Sequence, residues 1–457
     1  MYRADTIVAC ATAAGRGAIA IVRCSGRDAR RIADHVFSAK IEGPLEVGRV
    51  RLGCALAADG HTPVDEVLAL WFAGPHSFTG EDVLELHCHG SPVVVELLIA
   101  SMIAAGARSA ERGEFSRRAV LNGKLDLLQA EAVADLIDAK MAAGARAAWK
   151  QLQGALSDEF AAVRSDLVAV LAQIEADVDF TDDELPAADF GHRSEALCRS
   201  IARLEGLLDG FAASRRQREG LRVVFTGKPN AGKSSLVNRL LGTGRMIVSD
   251  EPGTTRDVVE ETVDLGGVAL VLADTAGIRD AVGAAEGQAV ARARETLEDA
   301  DLRVLVLDAS AQPDASDLGL FEELKERDTI VVWNKADLVG EVPREKLREF
   351  EGPGIEVATL SARTGQGCAE FAERLSSLAG RDREGEPVAI SRIRHRAAVE
   401  RALEPLNRAK ALVISDRDCE LAAADLREAL AELAAVSEAV DNEEVLDRIF
   451  SEFCIGK

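Results

Sequence analysis

Gly227-Lys228-Pro229-Asn230-Ala231-Gly232-Lys233-Ser234 decides the fold of this chain. The octapeptide fits G-x-x-x-x-G-K-[ST], the pattern of a phosphate-binding loop. It follows an apolar run, Arg222 to Thr226, that reads as a strand, and it opens a helical pattern from Ser235 onward. That order is what the motif requires. Glycines permit a tight turn, backbone N–H groups then face phosphate oxygens, and the helix N-terminus adds unpaired donors and a favourable dipole. Lys233 is placed to reach the β- and γ-phosphates, and the Ser234 hydroxyl to bind Mg²⁺.

Three further stretches select the base. Asp274-Thr275-Ala276-Gly277 follows the apolar strand Val268–Leu272; an Asp there holds the Mg²⁺ shell and a Gly N–H meets the γ-phosphate. Asn334-Lys335-Ala336-Asp337 follows the strand Ile330–Trp333. The Asp337 carboxylate can accept from guanine N1–H and the guanine amino group. Adenine lacks both donors and would leave a buried carboxylate unsatisfied. Ser361-Ala362-Arg363 follows the strand Ile355–Thr359, where a backbone N–H can read guanine O6. Four elements in order, each at the C-terminal end of a strand, predict a guanine-nucleotide site at that edge of an open α/β sheet.

Gly253-Thr254-Thr255-Arg256-Asp257 lies between the phosphate loop and Asp274. A Thr there adds its hydroxyl to Mg²⁺ only when γ-phosphate is present, which predicts a segment that orders on GTP binding and relaxes after hydrolysis. Ile278 stands where Ras-like enzymes carry a water-orienting Gln, so another residue must take that task. Arg256 and Arg279 are candidates for a charge-stabilising finger by position alone.

Around this core the 457-residue chain has three textures. From Thr6 to about Leu121, short β-rich runs (Ile19–Val22, Val67–Phe72) mix with Gly and Pro turns and a helix over Pro92–Ala105, giving an α+β domain. From Leu125, apolar residues recur at three- and four-residue steps: Leu125, Leu128, Ala132, Leu136, then Leu152, Leu156, Phe160, Val163, Leu167, Leu171 and Ile174. That spacing is the stripe of long amphipathic helices. The acidic break Asp177 to Glu184, with Pro186, ends it. From Leu221 to about Leu378, strands alternate with helical patterns and predict βαβ units with a mostly parallel sheet. After Asp382 the chain is helical again, with Leu421, Leu426, Leu430 and Leu433 in phase. The simplest architecture is multi-domain α/β plus α, with the α/β unit inserted in a helical domain. Two separate helical domains are the alternative.

A formal net charge of −23, from 54 basic and 77 acidic residues, argues against a generally basic nucleic-acid-coating protein and leaves room for a local basic patch. The eight cysteines have neither zinc-ribbon nor thioredoxin spacing and read as reduced thiols. Residues 1–5 carry no signal-peptide pattern, and no apolar run approaches the ~20 residues that span a bilayer. A soluble, cytoplasmic protein is expected. His87-Cys88-His89 reads as no metal site, because adjacent side chains on an extended chain point to opposite faces. Cys454 reads as a small buried side chain rather than a nucleophile.

Taken together, Asn230 inside the phosphate loop, Gly253–Asp257 and the terminal Phe453-Cys454-Ile455-Gly456-Lys457 resemble the bacterial tRNA-modification GTPase MnmE (TrmE) family. So do Asp5-Thr6-Ile7-Val8-Ala9, Gly15-Arg16-Gly17 and Ser77–Glu85, and the match runs along essentially the whole chain. The resemblance implies an N-terminal α+β folate-binding-like domain (residues 1–121), a discontinuous helical domain (122–217 and 381–457) and an inserted Ras-like P-loop G domain (218–380). It implies a homodimer through the N-terminal domains and a partner, the FAD protein MnmG (GidA), in a heterotetramer or larger complex. In that family the pair installs an aminomethyl or carboxymethylaminomethyl group at C5 of the wobble uridine of certain tRNAs.

By position, the resemblance makes Asn230 a ligand of a K⁺ ion beside the phosphates, with Ser249, Glu251 and Thr254 as further K⁺ contacts in the nucleotide-binding segment Ser249-Asp250-Glu251-Pro252-Gly253-Thr254. Such a cation does the work of an arginine finger. Thr255 corresponds to the switch Thr on Mg²⁺, and Glu286 to a glutamate that orients the attacking water once two G domains meet. Arg23, Glu85, Lys124 and Lys457 correspond to the positions that bind 5-formyltetrahydrofolate or a related folate. Without the resemblance, Arg23 and Lys124 read as ordinary surface residues. The sequence departs from the pattern at Ala11–Ala18, where relatives carry two prolines and a further glycine, at His87-Cys88-His89, and in the less acidic loop Arg279–Glu286. Two other classes stand beside this reading: a regulatory switch on a scaffold, as in ribosome-assembly GTPases, and a folate enzyme with an accessory G domain. The first would carry an RNA-binding appendage, and no Gly-x-x-Gly loop in such a setting is present.

Overall fold

A computed structural model describes residues 5–41, 43–179, 190–243, 245–246, 260–265, 269–274, 297–298, 300–379, 389–415, 418–437, 443–451 and 453–456. The chain divides into two compact units. One contains residues 1–134, 150–204 and 397–457; the other contains 135–149 and 205–396.

The first unit opens with a seven-stranded sheet: β1 (Ile7–Cys10), β2 (Ile19–Ser25), β3 (Phe37–Ala39), β4 (Arg51–Leu56), β5 (Pro63–Phe72), β6 (Val83–His89) and β7 (Arg108–Ser109), in the order β3-β4-β5-β6-β2-β1-β7. Every pairing is antiparallel except β1 with β7. Helices α1 (Ala29–Val36) and α2 (Pro92–Ala104) lay Ile32, Ala33, Val36, Leu98 and Met102 against Val22, Ala69, Leu84 and Leu86. The alternation of β6 follows: Leu84, Leu86 and Cys88 are buried, while Glu85, His87 and His89 face the other way. Pro92 sits in the first turn of α2, where its missing N–H costs nothing.

Helix α3 (Glu114–Leu121) closes this region with a buried charge cluster. Arg118, 2 % exposed, donates to the Asp5 carboxylate at 2.7 Å, to Glu114 at 2.9 Å and to Glu81 at 3.1 Å. Arg108 adds bonds to Asp5 and Glu114.

Long helices make up the rest of this unit. Helix α6 (Ala155–Asp179) buries Leu156, Phe160, Val163, Leu167, Val170 and Ile174, the expected stripe with Val170 in place of Leu171. Its partner, Cys419–Ser437, departs from expectation: Leu421 is 58 % exposed, and the buried face is Ala422, Ala423, Leu426, Ala429, Leu433 and Val436. Alanines let two helix backbones approach closely, and a leucine-only reading of the stripe cannot see them. Cys454 corrects a second expectation: it is exposed, because Phe453 takes the buried place and the Cys454 carbonyl accepts from Gly113 N–H.

The second unit carries the other sheet: β8 (Leu221–Thr226), β9 (Arg245–Met246), β10 (Glu260–Asp264), β11 (Ala269–Asp274), β12 (Leu302–Asp308), β13 (Thr329–Asn334) and β14 (Glu356–Thr359), ordered β14-β13-β12-β8-β11-β10-β9. β14, β13, β12, β8 and β11 run parallel, as the alternation of strands and helices predicts. β10 and β9 add antiparallel pairings at one edge that the sequence did not announce. Glu260-Glu261-Thr262-Val263-Asp264 has one aliphatic residue in five, so it carries no apolar strand signal. β13 is buried at every residue, as a central parallel strand covered on both faces must be.

Among the described residues, no helix is long and apolar enough to cross a membrane, and no cluster of His, Cys, Asp and Glu has the makings of a metal centre. His89 instead pairs with Asp65 at 2.7 Å and Cys88 donates to the Ala20 carbonyl.

Candidate nucleotide site

β8 ends at Thr226 and runs into Gly227, whose φ of +138° belongs to glycine and where a Cβ would collide with the Val306 carbonyl. The chain then turns through Asn230, one of the few non-glycine residues with positive φ (63°), a conformation Asn tolerates better than most. Gly232 (φ +94°) has no room for a side chain because Asn334 Nδ2 lies against it. Helix α9 (Lys233–Thr243) starts at once, and Leu236 N–H returns to the Gly232 carbonyl. Lys233 is 6 % exposed; its ammonium donates to the carbonyls of Gly227 (3.0 Å) and Lys228 (2.9 Å), drawn onto the loop it serves. Lys228 ties the loop outward to Asp314 and Asp317 (2.7 Å to Asp317), at the capped start of the helix Ala315–Leu324.

The residues expected to read guanine arrive from β13 and the turn after β14. Asn334, 2 % exposed, donates from Nδ2 to the Ala231 carbonyl at 2.9 Å and accepts at Oδ1 from Ala362 N–H at 3.0 Å. Lys335 (φ 64°) donates to Asp308 Oδ2 at 2.7 Å. Although burial pushes the Asp308 carboxyl upward, Lys335 and Ser310 hold it below the ordinary carboxylate value. Ser361, fully buried, donates from Oγ to Asp337 Oδ1 at 2.6 Å and accepts from Thr364 N–H at 3.2 Å. The arrangement brings Asn230, Ala231, Gly232, Lys233 and Ser234 together with Asn334, Lys335, Asp337, Ser361, Ala362 and Arg363 at the C-terminal edge of the sheet. Asp274 ends β11, beside Phe225 of β8. Thr275, Ala276, Gly277, Ser249–Thr255 and Glu286 lie outside the described residues, as does Lys457.

In the first unit, Arg23 and Glu85 are cross-strand partners on β2 and β6, and their side chains meet at 2.8 Å. The Arg23 guanidinium lies 5.6 Å from the Phe78 ring centre and 5.7 Å from that of Phe115. Its side chain is 19 % exposed, so it is not the free surface residue that sequence alone suggests. Lys124 is exposed; its N–H bonds to the Ala119 carbonyl and its stem borders Gly80. Asn122 anchors the same loop through the Thr79 carbonyl at 2.7 Å. The loop from Ser77 to Asp82 is thus gripped by residues beside Lys124 and carries the ring that Arg23 faces. Gly456, next to Lys457, packs so closely on the Cys10 carbonyl that a Cβ there would collide.

Residues 127–454 match the model described as MnmE helical domain, and residues 6–124 match that described as GTP-binding protein TrmE N-terminus. The tRNA modification GTPase MnmE of Paramagnetospirillum magneticum is 43% identical over 459 residues, covering 99% of this chain and 100% of that protein. The protein of the same name from Symbiobacterium thermophilum is 42% identical, with 99% of each chain covered. That from Heliobacterium modesticaldum is 40% identical, again with 99% of each covered. With family models matched over residues 6–124 and 127–454 and relatives matched along 99% of its length, this chain belongs to the MnmE (TrmE) family of tRNA modification GTPases.

Proposed function

We propose that the chain hydrolyses GTP to drive installation of an aminomethyl or carboxymethylaminomethyl group at C5 of the wobble uridine, position 34, of certain tRNAs. It does so as a cytoplasmic homodimer with the FAD-dependent partner MnmG (GidA), in a heterotetramer or larger assembly. The domain limits fitting this reading are 1–121, 122–217, 218–380 and 381–457. The observation that carries the hydrolytic half is the Asn334 side chain, which joins the phosphate loop to the guanine loop in one hydrogen-bonded unit. The tRNA half rests on family membership over 99% of the chain.

The residues suit the groups they would hold. Ser234 offers a hard oxygen for Mg²⁺ in the first turn of α9, with Thr255 as the second protein ligand. The Asn230 amide, at the turn of the loop, suits K⁺, with Ser249, Glu251 and Thr254 completing the shell. A cation there stabilises the charge that develops between the β- and γ-phosphates. Lys233 positions the phosphates, and Glu286 orients water when two G domains pair. Arg23, Glu85, Lys124 and Lys457 offer cations and a carboxylate that suit a pterin and glutamate tail, and the folate supplies the one-carbon chemistry when bound. FAD enters only through the partner.

Reconstitution tests the whole. The chain, the flavoprotein, GTP, folate and unmodified tRNA are combined in K⁺ buffer and the tRNA is digested for mass spectrometry. A modified wobble uridine, lost when Na⁺ replaces K⁺, is expected. Unmodified tRNA from an active GTPase would refute the tRNA half, and equal hydrolysis in K⁺ and Na⁺ would refute the cation's role.

A further inference from the structure

We infer that Arg239 is a positioning residue for guanine recognition, reaching the base-reading carboxylate from the phosphate-loop helix. Arg239 lies on α9, six residues after Lys233, so any link it makes couples the phosphate end of the site to the base end. Its Nε donates to the Ala362 carbonyl at 3.0 Å and its Nη2 to the Arg363 carbonyl at 2.6 Å. One planar guanidinium therefore holds two consecutive peptide units.

The geometry of the peptide transmits that grip. Each peptide group is planar and trans, so fixing a carbonyl fixes the N–H on its opposite side. Holding the Ala362 carbonyl fixes the direction of the Arg363 N–H. Holding the Arg363 carbonyl fixes the Thr364 N–H, which donates to Ser361 Oγ at 3.2 Å. That hydroxyl in turn donates to Asp337 Oδ1 at 2.6 Å. The line from Arg239 through the Arg363–Thr364 peptide and Ser361 ends on the carboxylate that accepts from guanine. Charge-assisted bonds at its start polarise the later ones in the same sense. Gly365, with φ +90°, turns the chain beside the guanidinium.

Both of these guanidinium bonds go to backbone carbonyls of the loop after β14, so loss of Arg239 is expected to act on nucleotide retention and base choice rather than on the chemical step. The test uses the full chain with Arg239→Ala and Arg239→Lys. Release of a fluorescent GDP analogue is followed by stopped flow, and KM and kcat are measured for GTP and for inosine triphosphate, which lacks the 2-amino group. Arg239→Ala is expected to release GDP about tenfold faster, to raise KM for GTP about tenfold and to narrow the GTP-to-inosine-triphosphate preference, with kcat within about twofold, as for loss of one charge-assisted contact. Arg239→Lys, which keeps the charge and a donor, falls between. Release and KM unchanged in both variants would overturn the proposal, as would a fall in kcat at unchanged KM. If Arg239→Ala does not fold, Arg239→Lys alone decides: wild-type release and preference refute it, and partial loss supports it.

Discussion

Asn334 donates from its side-chain amide to the carbonyl of Ala231 at 2.9 Å, in the middle of the phosphate loop. The other end of the same amide accepts from Ala362 N–H. Asn334 is thus a tie inside the site, buried and fully used by protein groups. Asn334→Ala leaves a buried carbonyl and a buried N–H without partners, at a cost of about 2–3 kcal/mol. Nucleotide-free protein should melt lower in calorimetry, and GTP binding should weaken with it. Wild-type melting and wild-type GTP affinity in this variant would show that the tie carries nothing.

In the proposed function Asp337 reads guanine through a pair of hydrogen bonds that its carboxylate accepts. In Asp337→Asn the amide keeps an acceptor for Ser361 Oγ but presents N–H where guanine presents N–H. Affinity for GTP should fall roughly 100-fold, the scale of a lost bidentate charged pair. Xanthosine triphosphate, with a carbonyl in place of the amino group, should be preferred instead. Competition between the two nucleotides against fluorescent GDP measures this directly.

Glu114 gives the N-terminal domain an acid limit. Burial pushes its carboxyl upward, but bonds from Arg108, from Glu111 N–H and from Arg118 outweigh that and leave it below its ordinary 4.5. A carboxyl lowered on folding contributes stability that is fully present above pH 4.5 and lost as the pH falls through the folded-state value. Asp5, also held low by Arg108 and Arg118 against its burial, acts in the same sense below 3.8. Glu114→Gln should cost about 3 kcal/mol at neutral pH, because two arginines lose a buried partner. Its loss of stability between pH 5 and 3 should also be shallower than that of wild type, as about one titrating group has gone. Parallel pH profiles for the two proteins would exclude this role.

Arg23→Ala removes the cation that pairs with Glu85 and lies near the rings of Phe78 and Phe115. Titration with 5-formyltetrahydrofolate should show about tenfold weaker binding or more, the scale of a lost charge-assisted contact, with GTP turnover unchanged. Lys124→Ala should weaken the same titration. Normal folate binding in both variants would remove the site.

What the sequence made legible divides along physical lines. The turn Gly227–Gly232 with its following helix, and the turn Asn334–Asp337, were readable because each follows an apolar strand and is marked by residue types at fixed spacing. The parallel strands showed themselves as short, largely apolar runs, with Arg222 and Arg303 near the starts of β8 and β12. β10 did not, since Val263 is the one aliphatic residue of Glu260–Asp264 and the segment carries no apolar run. The alanine face of Cys419–Ser437 was hidden for the opposite reason: alanine packs as well as leucine where helices lie close, yet marks no stripe. Arg239 was invisible because it works through backbone carbonyls more than 120 positions away, and no spacing rule records such a contact. Arg23 and Glu85 look like two unrelated surface charges until β2 and β6 pair and place them side by side.

The central claim, that guanine-specific hydrolysis in this chain serves the wobble uridine, meets its most direct test in tRNA itself. A host strain lacking its own family member is complemented with this chain or with its Asp337→Asn form, and wobble nucleosides are measured by liquid chromatography and mass spectrometry. The account predicts C5-modified uridine at position 34 with the wild-type chain and unmodified uridine with Asp337→Asn. Unmodified uridine in the strain carrying a wild-type chain that hydrolyses GTP would contradict it.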